Sequence, residues 1–289
     1  LPALPGIARV IEKGTPLTVW EGRPVQEWRE AWGAPTLVVL DAVGSTNDVA
    51  RALAEDGAPS GTAVLAEHQT AGRGRAGRRW HAPHGTALLL SVVLRPPAGR
   101  AAGSAPGAIP LRIGLAVARA AEAVAGVSLG LKWPNDVVAP DAGKVAGILC
   151  EAASGAGGGF VVAGIGVNVN QRPEDFPSDV RATATSLAAV AGRTVSRAEL
   201  CGAILVALRE AGDRFAAPLE PHELRAIAER DALFGRNVNV DGVPRGTAVG
   251  IAPDGALLVR DETGDVGAVY SGTVRVPDPD DSGHRERYP

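Results

Sequence analysis

The segment from Gln69 to Trp80 reads QTAGRGRAGRRW, and its position between two predicted strands limits the folds open to this chain. Gly72, Gly74 and Gly77 match the spacing G-x-G-x-x-G, which in other proteins holds the pyrophosphate of a dinucleotide. That use requires a helix directly after the glycines, because the phosphate sits at the helix N-terminus. Here the apolar run Thr86–Leu94 predicts a strand instead. The segment is therefore predicted to be a loop outside the Rossmann class.

The charge of this part of the chain has one sign. No Asp or Glu lies between His68 and Ala121, whereas eight arginines do. Four of them fall within seven residues, namely Arg73, Arg75, Arg78 and Arg79. Guanidinium groups bind phosphate and carboxylate oxygens in two-point contacts, and glycines let a ligand approach the backbone. A solvated basic loop or an RNA-binding arm would have a similar composition. One compact cluster followed by Trp80, which can stack on a base, favours a phosphate clamp.

Three further strings place polar or small residues at or near the ends of predicted strands. Lys132–Asp136 reads KWPND and follows a strand; it is a binding loop or, more commonly for such a pentapeptide, a plain turn. Lys144 opens the strand in GKVAGILCE, where it either stabilises charge on a reacting phosphate or keeps its ammonium group in water. Gly164 and Gly166 precede Asn168, and they either leave room for a ligand above the sheet or serve hairpin packing.

Hydrophobic periodicity predicts a mixture of strands and helices up to about residue 233. Helices are predicted over Val25–Trp32, Ser45–Asp56, Leu111–Ala125 and Pro221–Asp231, and after the capping box Ser196–Glu199. Strands are predicted over Thr36–Asp41, Gly61–Glu67, Thr86–Leu94, Leu129–Lys132, Lys144–Glu151 and Phe160–Asn168. The Pro/Gly/Ala-rich stretch Arg95–Pro110 is predicted to be a linker.

From Phe234 the pattern changes to short strands separated by turn dipeptides. The strands are Asn237–Val240, Thr247–Ile251, Leu257–Arg260, Gly267–Tyr270 and Thr273–Val276. Five such strands predict a small barrel, and the charged tail 277–289 is predicted to be disordered. We therefore divide the chain into an N-terminal extension (1–34), a large domain that carries the strings above (35–233), a barrel (234–276) and the tail.

The overall composition excludes several classes of protein. The net charge of −3 argues against a nucleic-acid-binding polycation. Cys150 and Cys201 lie far apart, and the stretch from His68 to His84, which also holds His81, contains no carboxylate or cysteine, so no disulfide framework and no metal site is predicted. Neither a G-x-S-x-G nor an H-E-x-x-H motif occurs. Without a signal-peptide pattern or a run of 18 apolar residues, we expect a cytoplasmic protein that does not cross a membrane.

Five strings, in this order, resemble the biotin–protein ligase family. They are GSTN at Gly44–Asn47, GRGRAGRRW at Gly72–Trp80, KWPND at Lys132–Asp136, GKVAGIL at Gly143–Leu149 and GIGVNVN at Gly164–Asn170. The likeness extends from about Thr36 to Val276, and the Gly/Arg loop followed by KWPND is its most specific part.

The resemblance implies an α+β fold with a catalytic domain related to class II aminoacyl-tRNA synthetases. That domain has a mixed sheet flanked by helices, and an SH3-like barrel follows it. The implied reaction activates biotin with ATP and Mg²⁺ to biotinyl-5′-AMP, and then biotinylates a lysine of a biotin carboxyl carrier protein. Homodimers are common in the family. Adenylation depends mainly on positioning and electrostatics, which an Arg/Gly clamp and a lysine can supply.

By motif position, the resemblance implies two overlapping sets of binding residues and no metal ligand. The biotin set is Ser45, Thr46, Asn47, Gln69, Gly72, Arg73, Gly74, Arg75, Lys144, Gly147 and Gly164. The nucleotide set is Arg75, Arg78, Trp80, Lys132, Asn135, Asp136 and Asn168. The implied catalytic residues are Lys144, Arg73 and Arg75. Arg73 and Arg75 are expected to hold the carboxylate and phosphates, while Lys144 stabilises the charge that grows between them.

Family members that also repress transcription carry a helix-turn-helix domain ahead of the catalytic domain, and only some 35 residues precede Thr36 here. We therefore predict a form of the ligase that lacks this domain and does not bind DNA specifically. Two alternatives remain open. A lipoate–protein ligase shares the fold and reaction type, although the loop and KWPND strings argue against it. A non-catalytic biotin- or nucleotide-binding regulator is disfavoured by the presence of Lys144.

Overall fold

The fold consists of one large sheet, one small sheet, a two-stranded hairpin of β2 and β3, and helices on both faces of the large sheet. A computed structural model describes residues 14–96, 105–155 and 158–277. The strands are β1 Gly14–Pro16, β2 Val19–Trp20, β3 Arg23–Pro24, β4 Leu37–Val43, β5 Ala63–Gln69, β6 Ala87–Leu94, β7 Gly130–Lys132, β8 Asp136–Ala139, β9 Gly143–Gly155, β10 Gly158–Asn168, β11 Asn237–Val240, β12 Val243–Ile251, β13 Leu257–Arg260, β14 Val266–Val269 and β15 Val274–Arg275. The helices are α1 Val25–Ala31, α2 Thr46–Glu55, α3 Ala108–Ala125, α4 Leu187–Ala191, α5 Arg197–Ala211 and α6 Pro221–Ala228.

The large sheet is mixed. Its strand order is β1-β4-β5-β6-β10-β9-β8-β7, in which β4 and β5 run parallel and the other neighbours run antiparallel. The parallel pair needs a crossover connection, and α2 supplies it. The predicted α+β class with a mixed sheet flanked by helices is therefore confirmed.

Strand alternation gives the large sheet two different apolar faces. In β4, Leu37 and Val39 belong to the larger core, whereas Val38 and Leu40 belong to a smaller one. Successive side chains of a strand point to opposite faces, so both faces of β4 are buried. The larger core is closed by α3 and α5, and the smaller core is closed by α2. This double burial explains why the sequence of β4 reads as a continuous apolar run.

The face that α2 covers changes character along β10. Phe160 and Val162 are fully buried under α2. The next residues on that face are Gly164, Gly166 and Asn168. Large apolar side chains on this face of β10 are thus followed by two glycines and an asparagine. This change positions the pocket described below.

The N-terminal residues of the described chain pair with the edge of the large sheet and pack against its core. β1 pairs with β4 as an edge strand. Trp20, Trp28 and Trp32 form an aromatic cluster in which Trp28 and Trp32 stack at 5.1 Å between ring centroids. The indole nitrogen of Trp20 donates to the buried carboxylate of Glu67. The three tryptophans, whose role the sequence left unexplained, therefore fasten this segment to the core.

The small sheet has the strand order β14-β13-β12-β11-β15 and is antiparallel throughout. Asp241 and Gly242, with φ of 51° and 83°, form the tight turn between β11 and β12. Positive φ at both central residues is what a two-residue hairpin turn needs, so the Asp-Gly signal predicted it correctly. Two strands, Asn237–Val240 and Leu257–Arg260, have the predicted bounds.

Other sequence predictions need correction. The helix predicted from Leu111 begins at Ala108, because Pro110 is tolerated in the first turn of a helix, where its missing N–H costs nothing. The predicted linker is shorter for the same reason, and residues 97–104 lie outside the described chain. β8 was missed because it begins at Asp136, the last residue of the KWPND string, which was interpreted as a loop or a turn. The tail 278–289 lies outside the described residues. Among the described helices, none is long and apolar enough to span a membrane.

Candidate active site

The Gly/Arg loop folds back on itself as a small hairpin with a stem and a tip. In the stem, Gly72–Gly74 lies antiparallel to Arg78–Trp80, through Gly74 N–Arg78 O at 2.7 Å and Trp80 N–Gly72 O at 3.0 Å. In the tip, Arg75–Gly77, the backbone turns left-handed, with φ of 54° at Ala76 and 72° at Gly77. Glycine tolerates that conformation at no steric cost. The loop is thus a strand-like insertion between β5 and β6, and the helix of a dinucleotide site is absent from these described residues.

The arginines of the loop have different partners. Arg73, in the stem, makes two hydrogen bonds to Asp48, at 2.7 and 2.9 Å, and one to Glu151 at 3.2 Å. The hydrogen bonds that Arg73 donates to Asp48, strengthened by the charge of that carboxylate, raise the pKa of Arg73 above its already high value. Arg75, in the tip, donates to the neutral Asn135 Oδ1 at 3.3 Å. Arg79 donates to the carbonyl of Thr70 at 3.0 Å. Only Arg73 among these three is paired with carboxylates.

A network of neutral polar groups lies at the N-terminus of α2. Gln69 Oε1, at the end of β5, accepts from Thr46 N at 2.7 Å and from Thr46 Oγ1 at 3.0 Å. Ser91 Oγ lies 2.7 Å from Thr46 Oγ1 and 2.6 Å from Asn47 Oδ1. Asn47 Nδ2 donates to Glu151 Oε2 at 2.7 Å. The sequence did not reveal Ser91 and Glu151, because each lies inside an apolar strand and is recognisable only by its neighbours in space.

Two glycines on neighbouring strands make room for Trp80. Gly147 of β9 and Gly166 of β10 lie opposite each other in the sheet. A Cβ added at Gly166 would lie 2.6 Å from the Trp80 ring, and one added at Gly147 would lie 3.1 Å from it. At Gly164 an added Cβ would lie 2.4 Å from Asn47. The absent side chains of Gly164 and Gly166 thus make room for Asn47 and Trp80, and both glycines also line the pocket described below.

The KWPND string forms the turn between β7 and β8 and continues into β8. Lys132 and Asp136 are cross-strand partners, and the Trp133–Pro134 peptide bond is cis. Asp136 Oδ1 lies 2.5 Å from Lys144 Nζ, and Lys144 Nζ lies 5.7 Å from the Trp80 ring centroid. The buried Trp133 donates to the carbonyl of Gly255 in the small sheet. The string therefore makes contacts in two directions, because Asp136 pairs with Lys144 and Trp133 binds the domain that contains the small sheet.

Burial changes the titration of two groups near this end of the site. Burial is the main cause that lowers the pKa of Lys132, and the nearby cations Lys144 and Arg78 act in the same direction against the attraction of Asp136. Burial also raises the pKa of the Cys150 thiol to about 12. A thiol with that pKa stays protonated near neutral pH, so Cys150 is not a candidate nucleophile.

These elements line an open pocket with about 490 Å³ of empty space, which includes open solvent at its mouth. Of the residues implied by the sequence, it is lined by Ser45, Thr46, Asn47, Gln69, Arg73, Gly74, Arg75, Trp80, Asn135, Lys144, Gly147 and Gly164. Gly72, Arg78, Lys132, Asp136 and Asn168 are not in its lining. Asn168 instead donates to the carbonyl of Lys144 and accepts from Gln171. Apolar side chains that the sequence did not single out come from Leu89 and Leu149. Leu90, Ile148 and Ile165 also line the pocket, although their side chains lie in the core on the other face of the sheet.

The pocket therefore has two chemically different ends. One end offers the uncharged donors and acceptors of Thr46, Asn47 and Gln69. The other end holds the cations Arg75 and Lys144. Such a site suits a ligand with a neutral polar head, an apolar body and an anionic end.

Comparison with known proteins gives a consistent result. The model of the biotin/lipoate A/B protein ligase family matches residues 39–170, and the model of the biotin protein ligase C-terminal domain matches 233–276. A biotin–[acetyl-CoA-carboxylase] ligase of Mycobacterium tuberculosis is 39% identical, over 78% of this chain and 80% of that protein. A bifunctional ligase/repressor of Bacillus subtilis is 35% identical, over 83% and 74%. The biotin protein ligase of Aquifex aeolicus, solved with biotin and ATP, superposes with a TM-score of 0.72 at 30% identity, covering 84% of this chain and all of that one.

Proposed function

This chain belongs to the biotin protein ligase family, and we infer that it is an ATP-dependent biotin–protein ligase. The observation that carries this inference is the two-ended pocket, whose neutral polar end and cationic end are joined by apolar walls. Biotin has a neutral ureido ring, an aliphatic chain and a terminal carboxylate. The pocket therefore offers a partner for each of these three groups.

At the neutral end, Thr46, Asn47 and Gln69 are proposed to bind the ureido group. Hydrogen bonds from Thr46 to Gln69, and from Asn47 to Glu151, hold the side chains in place before the ligand arrives. Preorganisation of this kind lowers the entropic cost of binding. Leu89 and Leu149 are proposed to contact the aliphatic chain, since both line the pocket on the sheet face of the glycines.

At the cationic end, Arg75 and Lys144 are proposed to act on the first chemical step. An oxygen of the biotin carboxylate attacks the α-phosphorus of ATP, the bond to the β-phosphate oxygen breaks, and pyrophosphate leaves. Negative charge is concentrated between carboxylate and phosphate in the transition state. Fixed cations aimed at that position stabilise it without reorganising. Asp136, 2.5 Å from Lys144 Nζ, holds the ammonium group in place.

We propose that Mg²⁺ enters this site on the phosphates of ATP. The described residues include no group of three His, Cys, Asp or Glu side chains that could hold a metal ion by themselves. Mg²⁺ typically uses one or two carboxylates together with substrate phosphates and water. Asp136 is the carboxylate at the cationic end of the site, so this donor set fits a nucleotide-bound ion. When bound, Mg²⁺ neutralises phosphate charge.

The second step transfers biotin to protein. The amine of an acceptor lysine attacks the acyl carbonyl of biotinyl-AMP, and AMP leaves with the bonding electrons of the acyl–oxygen bond. We propose that the acceptor is the carboxyl carrier protein or domain of a biotin-dependent carboxylase. The support is the name of the M. tuberculosis relative, which specifies acetyl-CoA carboxylase. The acceptor reaches the intermediate through the open side of the pocket.

ATP–pyrophosphate exchange, measured separately with biotin and with lipoate, tests the proposed function. Exchange that depends on biotin would support it. Exchange with lipoate alone would assign the chain to the lipoate branch of the same family. Absence of exchange with either acid would contradict adenylation and favour a binding protein without ligase activity.

A further inference from the structure

The guanidinium group of Arg73 is already bound by carboxylates of the protein itself. Nη1 and Nη2 make a two-point contact with Asp48, and Nη2 also reaches Glu151. These contacts use three of the five N–H donors of an arginine. A two-point contact is also the geometry in which arginine binds a carboxylate most strongly. A ligand carboxylate would therefore have to displace contacts that the fold supplies.

The charges around Arg73 also cancel one another. Arg51 Nη2 lies 3.6 Å from Glu151 Oε1, so Arg51 and Arg73 together face Asp48 and Glu151. Two cations and two anions leave this cluster without a net charge that would attract an anion. Arg75, two residues along the loop, has the neutral Asn135 as its hydrogen-bond partner. The positive charge of Arg73 is therefore balanced by carboxylates, whereas no described carboxylate pairs with Arg75.

The two arginines also belong to different parts of the loop. Arg73 lies in the stem, bridged to Arg79 across it, whereas Arg75 starts the tip. The partners of Arg73 come from two other elements, Asp48 from α2 and Glu151 from β9. The same Glu151 oxygen that accepts from Arg73 accepts from Asn47 at the neutral end of the pocket. One contact set thus connects the loop stem with the ligand-binding floor.

We propose that Arg73 is a positioning residue, which fastens the loop stem to α2 and β9 and leaves anion binding to Arg75 and Lys144. We call Arg73, Asp48 and Glu151 the Arg73 tie. The proposal rests on the proposed function, and it changes the role that family resemblance implies for Arg73. Its function is to hold the tip over the activated intermediate, so that biotinyl-AMP stays bound until the acceptor arrives.

The tie is suited to experiment because it is partly exposed. The side chains of Arg73, Asp48 and Glu151 are 38%, 44% and 25% exposed. Ion pairs at such sites contribute little to global stability. Substitutions that remove the charges are therefore expected to leave the protein folded, so that a change in ligand release can be attributed to the loop.

The decisive variant is the double substitution Asp48→Asn with Glu151→Gln, which keeps side-chain shape and removes both carboxylates. If the tie positions the loop, biotinyl-AMP should dissociate about 5- to 20-fold faster, the range expected for the loss of two partly exposed ion pairs. If Arg73 were an anion ligand, the same variant would free it and leave net positive charge. Release would then slow and the KM for biotin in pyrophosphate exchange would fall. The two roles predict opposite signs, and slower or unchanged release would overturn the proposal.

Two further measurements complete the test. Arg73→Lys keeps the cation but cannot contact both carboxylates, so it should release the intermediate as fast as the double variant. A matched control, Glu27→Gln with Glu174→Gln, removes two exposed carboxylates that pair with Arg23 and Arg172, and it should behave as wild type. Trypsin cleavage at Arg75 and Arg78 in the absence of ligand should be faster in the double variant than in the control. That readout does not need catalysis, so it tests the tie even if wild-type protein shows no biotin-dependent exchange; equal cleavage would count against the tie.

Discussion

Two arginines of this protein hold a carboxylate in a two-point contact, and their surroundings differ. Arg112 of α3 is 6% exposed and donates to Glu223 of α6 at 2.6 and 2.7 Å. It also donates to the carbonyls of Phe215, Ala217 and Pro218. Arg73 is 38% exposed and contacts Asp48 and Glu151 beside an open pocket. An arginine–carboxylate pair therefore joins packed helices at Arg112, whereas at Arg73 it holds a loop beside the pocket.

Burial explains the difference in role. Inside the protein, an arginine must have its donors satisfied, because an unpaired buried charge costs several kcal/mol. We call Arg112, Glu223 and the three carbonyls the Arg112 hub; it joins α3, α6 and the segment between α5 and α6. Near water, an ion pair contributes little to stability and can be exchanged for another partner. A loop that must order around a ligand is therefore better held by partly exposed ion pairs than by buried ones.

The largest effect is expected from breaking the Arg112 hub. Arg112→Met removes the buried cation and leaves Glu223 with an uncompensated charge, so the free energy of unfolding should fall by about 3–5 kcal/mol. Equilibrium denaturation in urea measures this loss. Arg172→Met removes an arginine that is 72% exposed and paired with Glu174, and its effect should stay within about 0.5 kcal/mol. Equal losses in the two variants would mean that burial does not separate the two kinds of site.

Lys144→Ala should affect chemistry rather than stability. Loss of a cation aimed at the reacting phosphate is expected to slow biotin-dependent pyrophosphate exchange by about 100-fold, or roughly 2.7 kcal/mol. The free energy of unfolding should change by less than about 0.5 kcal/mol, because Lys144 and Asp136 are both partly exposed. Lys144→Arg, which keeps the charge, should recover part of the rate. Near-normal exchange in Lys144→Ala would remove Lys144 from the mechanism.

Gly166→Ala should disturb the site through Trp80. The added Cβ would lie 2.6 Å from the indole ring, so the ring must move off the sheet at a cost of about 1–2 kcal/mol. We expect the KM for ATP to rise about tenfold, since Trp80 is proposed to stack near adenine. Gly267→Ala is the matched control, because its Cβ would meet nothing within 4 Å on the exposed edge strand β14. If both variants bind ATP like wild type, the position of the Trp80 ring over Gly166 does not matter for ATP binding.

The smallest effect is a pH dependence of the Arg112 hub. Burial acts to raise the pKa of Glu223, but hydrogen bonds from Arg112 and the Glu220 backbone outweigh it, so the pKa lies below the usual value. A carboxylate with a lowered pKa stabilises the fold above the unfolded pKa of about 4.3, and that contribution is lost as pH falls through the folded pKa. The unfolding free energy of wild type minus that of Glu223→Gln should therefore be constant above about pH 5 and shrink in acid.

Asp231 provides a comparison of opposite sign. Burial raises its pKa, and hydrogen bonds from the backbone of Leu233 and Phe234 offset this only in part. A carboxylate with a raised pKa gains stability as pH falls, so the difference between wild type and Asp231→Asn should grow in acid. If the two differences in unfolding free energy changed with pH in the same direction, the opposite pKa shifts given for Glu223 and Asp231 would be contradicted.

The sequence predicted those parts of the molecule that depend on neighbours along the chain. The turn at Asp241-Gly242 and strands β11 and β13 follow from local backbone preferences and alternation. The Gly/Arg loop and KWPND are contiguous strings, so their composition could be read directly. Most residues predicted for the site do line one pocket.

Contacts between distant segments could not be predicted in the same way. Glu151 lies 104 residues from Asn47 and 78 from Arg73, and Ser91 lies 45 residues from Thr46. Their pairing depends on strand register, which one sequence does not specify. The position of Gly166 under Trp80 could not be predicted for the same reason, because only the sheet brings these two residues together.

The central claim is that this pocket makes biotinyl-AMP and retains it. Protein mixed with biotin, Mg²⁺ and ATP labelled at either the α- or the γ-phosphate, then passed rapidly through a desalting column, tests it directly. We expect the α-label to elute with the protein as biotinyl-AMP only when biotin is present. The γ-label should be lost as pyrophosphate. Elution of both labels with the protein would mean that ATP is bound but not cleaved, and elution of neither would mean that no intermediate is retained.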